Sequence, residues 1–372
     1  MSEPEVGVNL LWCVPGAVGG SEEYLVRQMI GLGEGPDRPW STALYVLADF
    51  AAKYPQLGEH SAMRVAPFAG QRRARRIVGE STWLRKSGAT SALIHHGGGT
   101  APIGARKPYV LTVHDLQYKT FPHYFSRAKR AYLDAMIPRS ARGAAAVTVP
   151  SEYVRGTVID AYGIDADRVH VVPHGFEPDL LHVKTDEAEL RSRLGLGNGP
   201  VLFYPAMTAP HKNHRFLLQL MAEHWRDPDL RLVLAGSAGG AEADVAACTD
   251  PRVIRVGRVG PADRNGLLAL STAMVFPSQY EGFGAPLIEA MALGAPVVCS
   301  DATCIPGVVG DGALVRPLTI DAWATALDDV AAQRAALVAR GRARAATFTS
   351  RASGDALAAV YASVLFGPES SR

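Results

Sequence analysis

FPSQYEGFGAPLIEAMALGAPVV, residues 276–298, reads as the end of one strand, a loop, a short helix and the start of a second strand. Glu281 falls in the loop, Gly282 and Gly284 permit a sharp backbone turn, Pro286 suits a first helical turn, and Glu289 follows inside the helix. This spacing lets two carboxylates face one site. A plainer account has Glu289 only complement the helix macrodipole, worth roughly 0.3 to 1 kcal/mol. That account leaves Glu281 and both glycines unexplained.

The same strand and helix grammar extends in both directions. Short apolar runs without polar alternation, as in strands buried on both faces, lie at Val6 to Trp12, Tyr109 to Val113 and Ala144 to Val149. They recur at Val201 to Tyr204, Leu230 to Ala235, Val253 to Val256, Ala273 to Phe276 and Pro296 to Ser300. Helical patterns separate them. One is Ser21 to Gly33, where Ser21 is placed to N-cap and Leu25, Met29 and Leu32 repeat at helical spacing. The polar stretch Lys184 to Pro200 ends in GLGNGP, and its turn residues mark a linker. The expected architecture is α/β with two doubly wound domains, residues 1–183 and 184–352, whose strand ends face a central cleft.

The whole chain of 372 residues is consistent with two domains. With 48% hydrophobic and 20% charged residues it is neither disordered nor a disulfide scaffold. A net charge of +2 provides no field for nucleic acid, so a small-molecule site is expected. Cys13, Cys248, Cys299 and Cys304 fit neither a disulfide framework nor a zinc cluster and read as reduced thiols. An acidic start, MSEPEVGVNLLWCVPG, and the lack of an ~18-residue apolar run lead to a cytoplasmic expectation. The basic run Arg72, Arg73, Arg75 and Arg76 reads as a solvated face, with contact to an anionic membrane surface as the alternative.

Three further stretches carry polar groups at strand ends. Gly16, Gly19 and Gly20, between the opening strand and a helix, either bring backbone amides to an anion or form an ordinary tight turn. Their spacing is not the G-x-G-x-x-G of a dehydrogenase, and Asp49 comes late for its acid. In LTVHDLQYKTFP, His114 and Asp115 stand at the mouth of a strand, a functional position that a structural histidine also occupies. The pair His95 and His96 before three glycines reads as a loop feature without a third metal ligand. In YPAMTAPHKNHRF, Lys212 precedes a helix and is placed to meet a phosphate, with His211, Asn213 and His214 beside it. The pairs Asp165 with Asp167 and Asp227 with Asp229 precede strands, so neither is placed to hold a divalent ion at a strand end, and metal independence is expected.

The stretch MVFPSQYEGFGAPLIEAMALGAPVVCSD resembles the E-x7-E motif of retaining glycosyltransferase family 4 and its flanks. Further similarities follow in order: GGSEEY, HDLQYKTFPHYFS, VTVPSEYVR, VHVVPHGFE, PHKNH and GDGALV. The PHKNH stretch is similar to mannosyltransferase-like sequences. The resemblance implies a GT-B fold, an acceptor-side first half, a nucleotide-sugar donor on the second half, and a last helix, residues 353–366, that crosses back. It implies that Glu289 holds the ribose hydroxyls, Glu281 the transferred sugar, Lys212 the diphosphate, and that His114 sits by the anomeric carbon. Gly19 and Gly20 would close over the phosphates, Gly236, Ser237 and Val259 would border the base, and Gly282, Phe283 and Gly284 would complete the donor site. The implied reaction retains anomeric configuration and moves a hexose from a GDP- or UDP-linked donor to a sugar or small-molecule hydroxyl, with no cofactor. Two positions depart from the family pattern: Ala206 stands where an arginine is common, and Gly307 where a glutamate often occurs. With the arginine absent, His211 or His214, protonated beside the diphosphate, is expected to supply a second cation. Alternatives are an inactive nucleotide-sugar-binding GT-B protein and a transferase for a secondary-metabolite acceptor.

Overall fold

The computed structural model describes residues 3–70 and 72–367, apart from the side chains of Arg73, Ala74 and Leu180. Arg73 of the basic run therefore lies outside the described side chains, while Arg72 and Arg75 are exposed. The chain divides into two compact units, one running to Gly175 and resuming at Thr349, the other Phe176–Phe348.

The first unit is built on β1 (Glu5–Asn9), β2 (Ser41–Val46), β3 (Ala62–Val65), β4 (Leu93–His96), β5 (Tyr109–Thr112), β6 (Ala146–Val149) and β7 (Val169–Val171). They form one parallel sheet in the order β3-β2-β1-β4-β5-β6-β7. Consecutive residues of its central strands are buried, among them Leu111, Val147 and Val149 at 0% exposure, because helices cover both faces. Chain order along this sheet reverses between β1 and β4, the position at which α/β sheets open a crevice beyond their strand ends.

The second unit repeats the plan with β8 (Val201–Pro205), β9 (Arg231–Ala235), β10 (Val253–Gly257), β11 (Ala273–Phe276), β12 (Val297–Ser300) and β13 (Leu314–Arg316), in the order β10-β9-β8-β11-β12-β13. All pairs are parallel, and Ala273 of β11 registers with Leu202 of β8. Here the reversal falls between β8 and β11.

Four sequence expectations are corrected. Ser21 does not cap its helix: Gly20–Gly33 begins after Gly19, which takes a positive φ of 63° and makes no side-chain cap, so Ser21 lies in the first turn. The stretch from Lys184 to Pro200 is not an open linker but contains a helix, Glu187–Leu194, capped by the Asp186 carboxylate and ended by Gly195 in the left-handed region. It belongs to the second unit, where Thr185 N–H donates to Ala262 O, so the chain passes between units at Gly175 instead. His95 and His96 are not in a loop but end β4, fully buried: His95 bonds Tyr361 Oη at 2.6 Å and Thr112 Oγ1 at 2.7 Å, and His96 meets Asn9 at 3.2 Å. Finally, β1 stops at Asn9 rather than Trp12, as the chain turns there.

The last helix, Ser350–Phe366, starts at a Thr349 side-chain cap and packs in the first unit against Gly20–Gly33. The two backbones approach so closely that a Cβ on Gly31 would lie 1.7 Å from Ser350 O, and one on Gly354 would lie 2.2 Å from Gly31 C. Overpacking usually costs about 1–3 kcal/mol, and Gly354→Val is expected at the top of that range because main chain, not a flexible side chain, must yield. Urea unfolding checks this; a loss within about 0.5 kcal/mol of wild type would contradict the close approach.

Candidate functional site

The second unit carries a cluster of polar groups at its strand-order reversal. Lys212 follows β8 through the turn Pro210–Lys212, and Glu281 follows β11. Lys212 Nζ donates to Glu281 Oε1 at 2.5 Å, with side chains 17% and 11% exposed. The two loops are tied to each other and to the strands. Gln279 N–H donates to His211 O at 2.7 Å, Tyr204 Oη donates to Lys212 O at 2.7 Å, and Ser300 Oγ donates to Ser278 O at 2.6 Å. Thr303 Oγ1 accepts from Glu281 N–H and donates to Glu281 O, both at 3.1 Å.

Helix Ala285–Leu293 begins after Gly284, whose φ of 86° explains why glycine is needed there. Pro286 is in its first turn, as expected. Glu289 lies beyond the first turn, which removes the macrodipole explanation. Its carboxylate, 3% exposed, faces Arg264 Nη1 at 3.6 Å. Phe283 is buried with its ring edge-on to Phe348 at 5.5 Å, so its side chain packs inside the unit. Gly282 is half-buried.

Gly236 directly follows β9, and a Cβ there would meet Ala206 O at 2.3 Å. Ser237 O accepts from Thr208 N–H at 3.1 Å, and Val259 is half-buried before helix Pro261–Leu270. Beside Ala206 is a cavity of about 370 Å³ whose walls include His214, Gly236, Glu242, Arg255 and Gly257. Arg255, paired with Glu242, is the permanent cation of that wall. The histidines do not provide one in this state. Burial, then the Lys212 charge, pushes His211 down to about 4, and burial pushes His214 down to about 4, so both are neutral at pH 7.

In the first unit, His114 lies just past β5, with its ring between Trp12 and Tyr24, each 5.7 Å away. Its Nε2–H donates to Gly97 O at 2.8 Å, which fixes that tautomer and leaves Nδ1 an acceptor. Burial pushes its pKa down to about 4. Asp115 instead closes a local turn, accepting from Gln117 N–H at 2.8 Å. Gly19 and Gly20 are at the start of helix Gly20–Gly33, with no atom near enough to obstruct a Cβ. The Gly16 amide donates to Glu22 Oε2 at 2.7 Å, and Glu22 also accepts from Lys53 and Tyr54 at 2.6 Å. Glu22, Thr303 and Arg264 escaped sequence reasoning because their partners are distant in the chain; GGSEEY was the one local signal for Glu22. Among the described residues no three His, Cys, Asp or Glu side chains gather to hold a metal ion. No helix of the described residues is long and apolar enough to cross a membrane.

Residues 45–180 match the model described as Glycosyltransferase Family 4, and residues 199–333 match Glycosyl transferases group 1. The chain belongs to glycosyltransferase family 4. This family-4 chain is 32% identical to O-antigen chain mannosyltransferase B of Escherichia coli over 64% of its length and 66% of the relative's. It is 25% identical to alpha-D-kanosaminyltransferase of Streptomyces kanamyceticus over 78% and 79%. HepE of Anabaena, solved with UDP and glucose, superposes with a TM-score of 0.75 at 21% identity over 97% of this chain and 100% of that one. The fold of the family-4 chain is GT-B.

Because the free enzyme's His114 is held neutral, kcat/KM is expected to show no ionisation from it between pH 8 and about 5, falling only toward pH 4. An inflection near 6.5 that His114→Gln removes would contradict this burial. Folding stability has the same sign: His95, His96, His114, His211 and His214 have depressed folded values. The unfolded chain therefore takes up their protons first, and the thermal midpoint is expected to drop as pH falls from about 6.5 toward 4.

Proposed function

We propose that this chain transfers a hexosyl group from a GDP- or UDP-linked sugar to a hydroxyl acceptor, retaining anomeric configuration and using no metal ion. The reading is carried by the Lys212–Glu281 pair at the strand-order reversal of the second unit, with Glu289 on the adjoining helix. The names of the relatives, with mannosyl and kanosaminyl transfer, and the UDP held by HepE support a sugar-nucleotide donor.

Breaking the sugar–phosphate bond develops oxocarbenium character on the ring and negative charge on the departing diphosphate. Fixed positive groups around the phosphate are therefore the main requirement. The Lys212 ammonium has three donors, so a diphosphate can engage it while Glu281, relieved as its main partner, turns to a sugar hydroxyl. Glu289 accepts from the ribose hydroxyls. The departing phosphate oxygen takes the acceptor's proton as the new glycosidic bond forms on the same face, so no carboxylate nucleophile is required. His114, neutral and a hydrogen-bond acceptor at Nδ1, is assigned to the reacting sugar.

Thermal stabilisation by a panel of nucleotide sugars tests the donor, since a ligand at 100 times its Kd adds roughly 2.7 kcal/mol; no stabilisation by any would overturn the reading. Acceptor-dependent nucleotide release separates an enzyme from a binding protein. Lys212→Ala is expected to lower kcat roughly 100- to 1,000-fold, the effect of deleting one preorganised electrostatic contact. Glu281→Gln should depress turnover at saturating donor, and Glu289→Ala should mainly raise donor KM. Full activity is expected in excess EDTA; loss that magnesium or manganese restores would overturn the metal-free route.

A further inference from the structure

We propose that Thr303 is the positioning residue of Glu281, a main-chain clamp that fixes the point from which its carboxylate reaches, whether to Lys212 or to the sugar; this rests on the reading that Glu281 holds the transferred sugar. Glu281 follows β11 in a loop, outside any helix or strand ladder that would pair its peptide groups. Thr303, in the loop after β12, satisfies both: its Oγ1 accepts from Glu281 N–H and donates to Glu281 O, each at 3.1 Å. Cys304 Sγ adds a second donor to the same carbonyl at 3.2 Å. The backbone of residue 281 is thereby held from the next strand of the sheet, leaving its carboxylate directed at Lys212.

The conformation of Thr303 points the same way. Among the described residues, two non-glycine residues have positive φ: Thr303 at 54° and Asn213 at 58°. Asn213 directly follows Lys212, and Thr303 bonds the Glu281 peptide, so a residue of positive φ adjoins each member of the ion pair. Asparagine tolerates that region, whereas a β-branched residue there is an outlier. Glycine would adopt it freely but would have no hydroxyl to offer the Glu281 peptide. Threonine at this position bonds the Glu281 peptide at the expense of backbone ease.

Full-length Thr303→Ser, Thr303→Val and Thr303→Gly test the clamp. Loss of the hydroxyl in the valine and glycine variants is expected to lower kcat for nucleotide release about tenfold to a hundredfold, the scale of a small misplacement in a reacting constellation. The affinity for UDP or GDP alone, measured by calorimetry, is expected to stay near wild type, and serine is expected to restore turnover. Hydrogen exchange at the Glu281 amide should quicken in the valine and glycine variants and remain slow in serine. The glycine variant relieves the strained φ, so its thermal midpoint is expected at or above wild type while its turnover is low, a combination that a purely structural residue would not give. Unchanged amide exchange in Thr303→Val, or wild-type kcat there while Glu281→Gln is impaired, would overturn the proposal. If Glu281→Gln itself turns over normally, the assignment of Glu281 to the sugar fails, while amide exchange still reports on the clamp.

Discussion

The ion pair between Lys212 and Glu281 stands at the point where chain order reverses in the second sheet, and the surrounding loops are organised to hold it. Two charges at 17% and 11% exposure have lost much of their hydration, a cost that their attraction offsets only if geometry is fixed. The fixing bonds come from three separate strand ends: Tyr204 from β8, Ser278 just past β11, and Ser300 and Thr303 at and after β12. Because β8, β11 and β12 are neighbours in a parallel sheet, all these ends emerge on the same edge. Parallel pairing thus decides where the charges can meet, and the hydrogen bonds decide how.

What could be read in the sequence follows from the same physics. Strands buried on both faces appear as uninterrupted apolar runs, so β8, β9, β11 and β12 were legible. The three-residue β13 was too short to show a pattern, and the helix Glu187–Leu194 has Leu190 as its buried residue, too little for a visible stripe. His95 misled because its burial is met by Tyr361, distant in sequence and on the last helix. Glu281, Lys212 and Glu289 stood out through their local company of glycine, proline and helix starts, and through resemblance to a family. Thr303 had no such company: its role arises from a bond between two loops that only the folded sheet brings together.

The two units handle charge differently. In the first, His114 is packed by Trp12 and Tyr24 and kept neutral, while Glu22 draws Lys53, Tyr54 and the Gly16 amide to one carboxylate beside the glycine-rich turn. In the second, Ala206 lines a cavity, and the histidines that flank Lys212 remain neutral under burial and the Lys212 charge. Arg255 on the wall of that space is engaged by Glu242. Lys212 is therefore the fixed cation next to Glu281 at the strand-order reversal.

A crystal structure of the chain with a bound, uncleaved nucleotide sugar tests this most directly. Lys212 Nζ is expected within about 3 Å of a diphosphate oxygen, the Glu281 carboxylate on a hydroxyl of the sugar, and the Thr303 bonds to the Glu281 peptide intact. A nucleotide seated elsewhere, with Lys212 and Glu281 still joined only to each other, would contradict it.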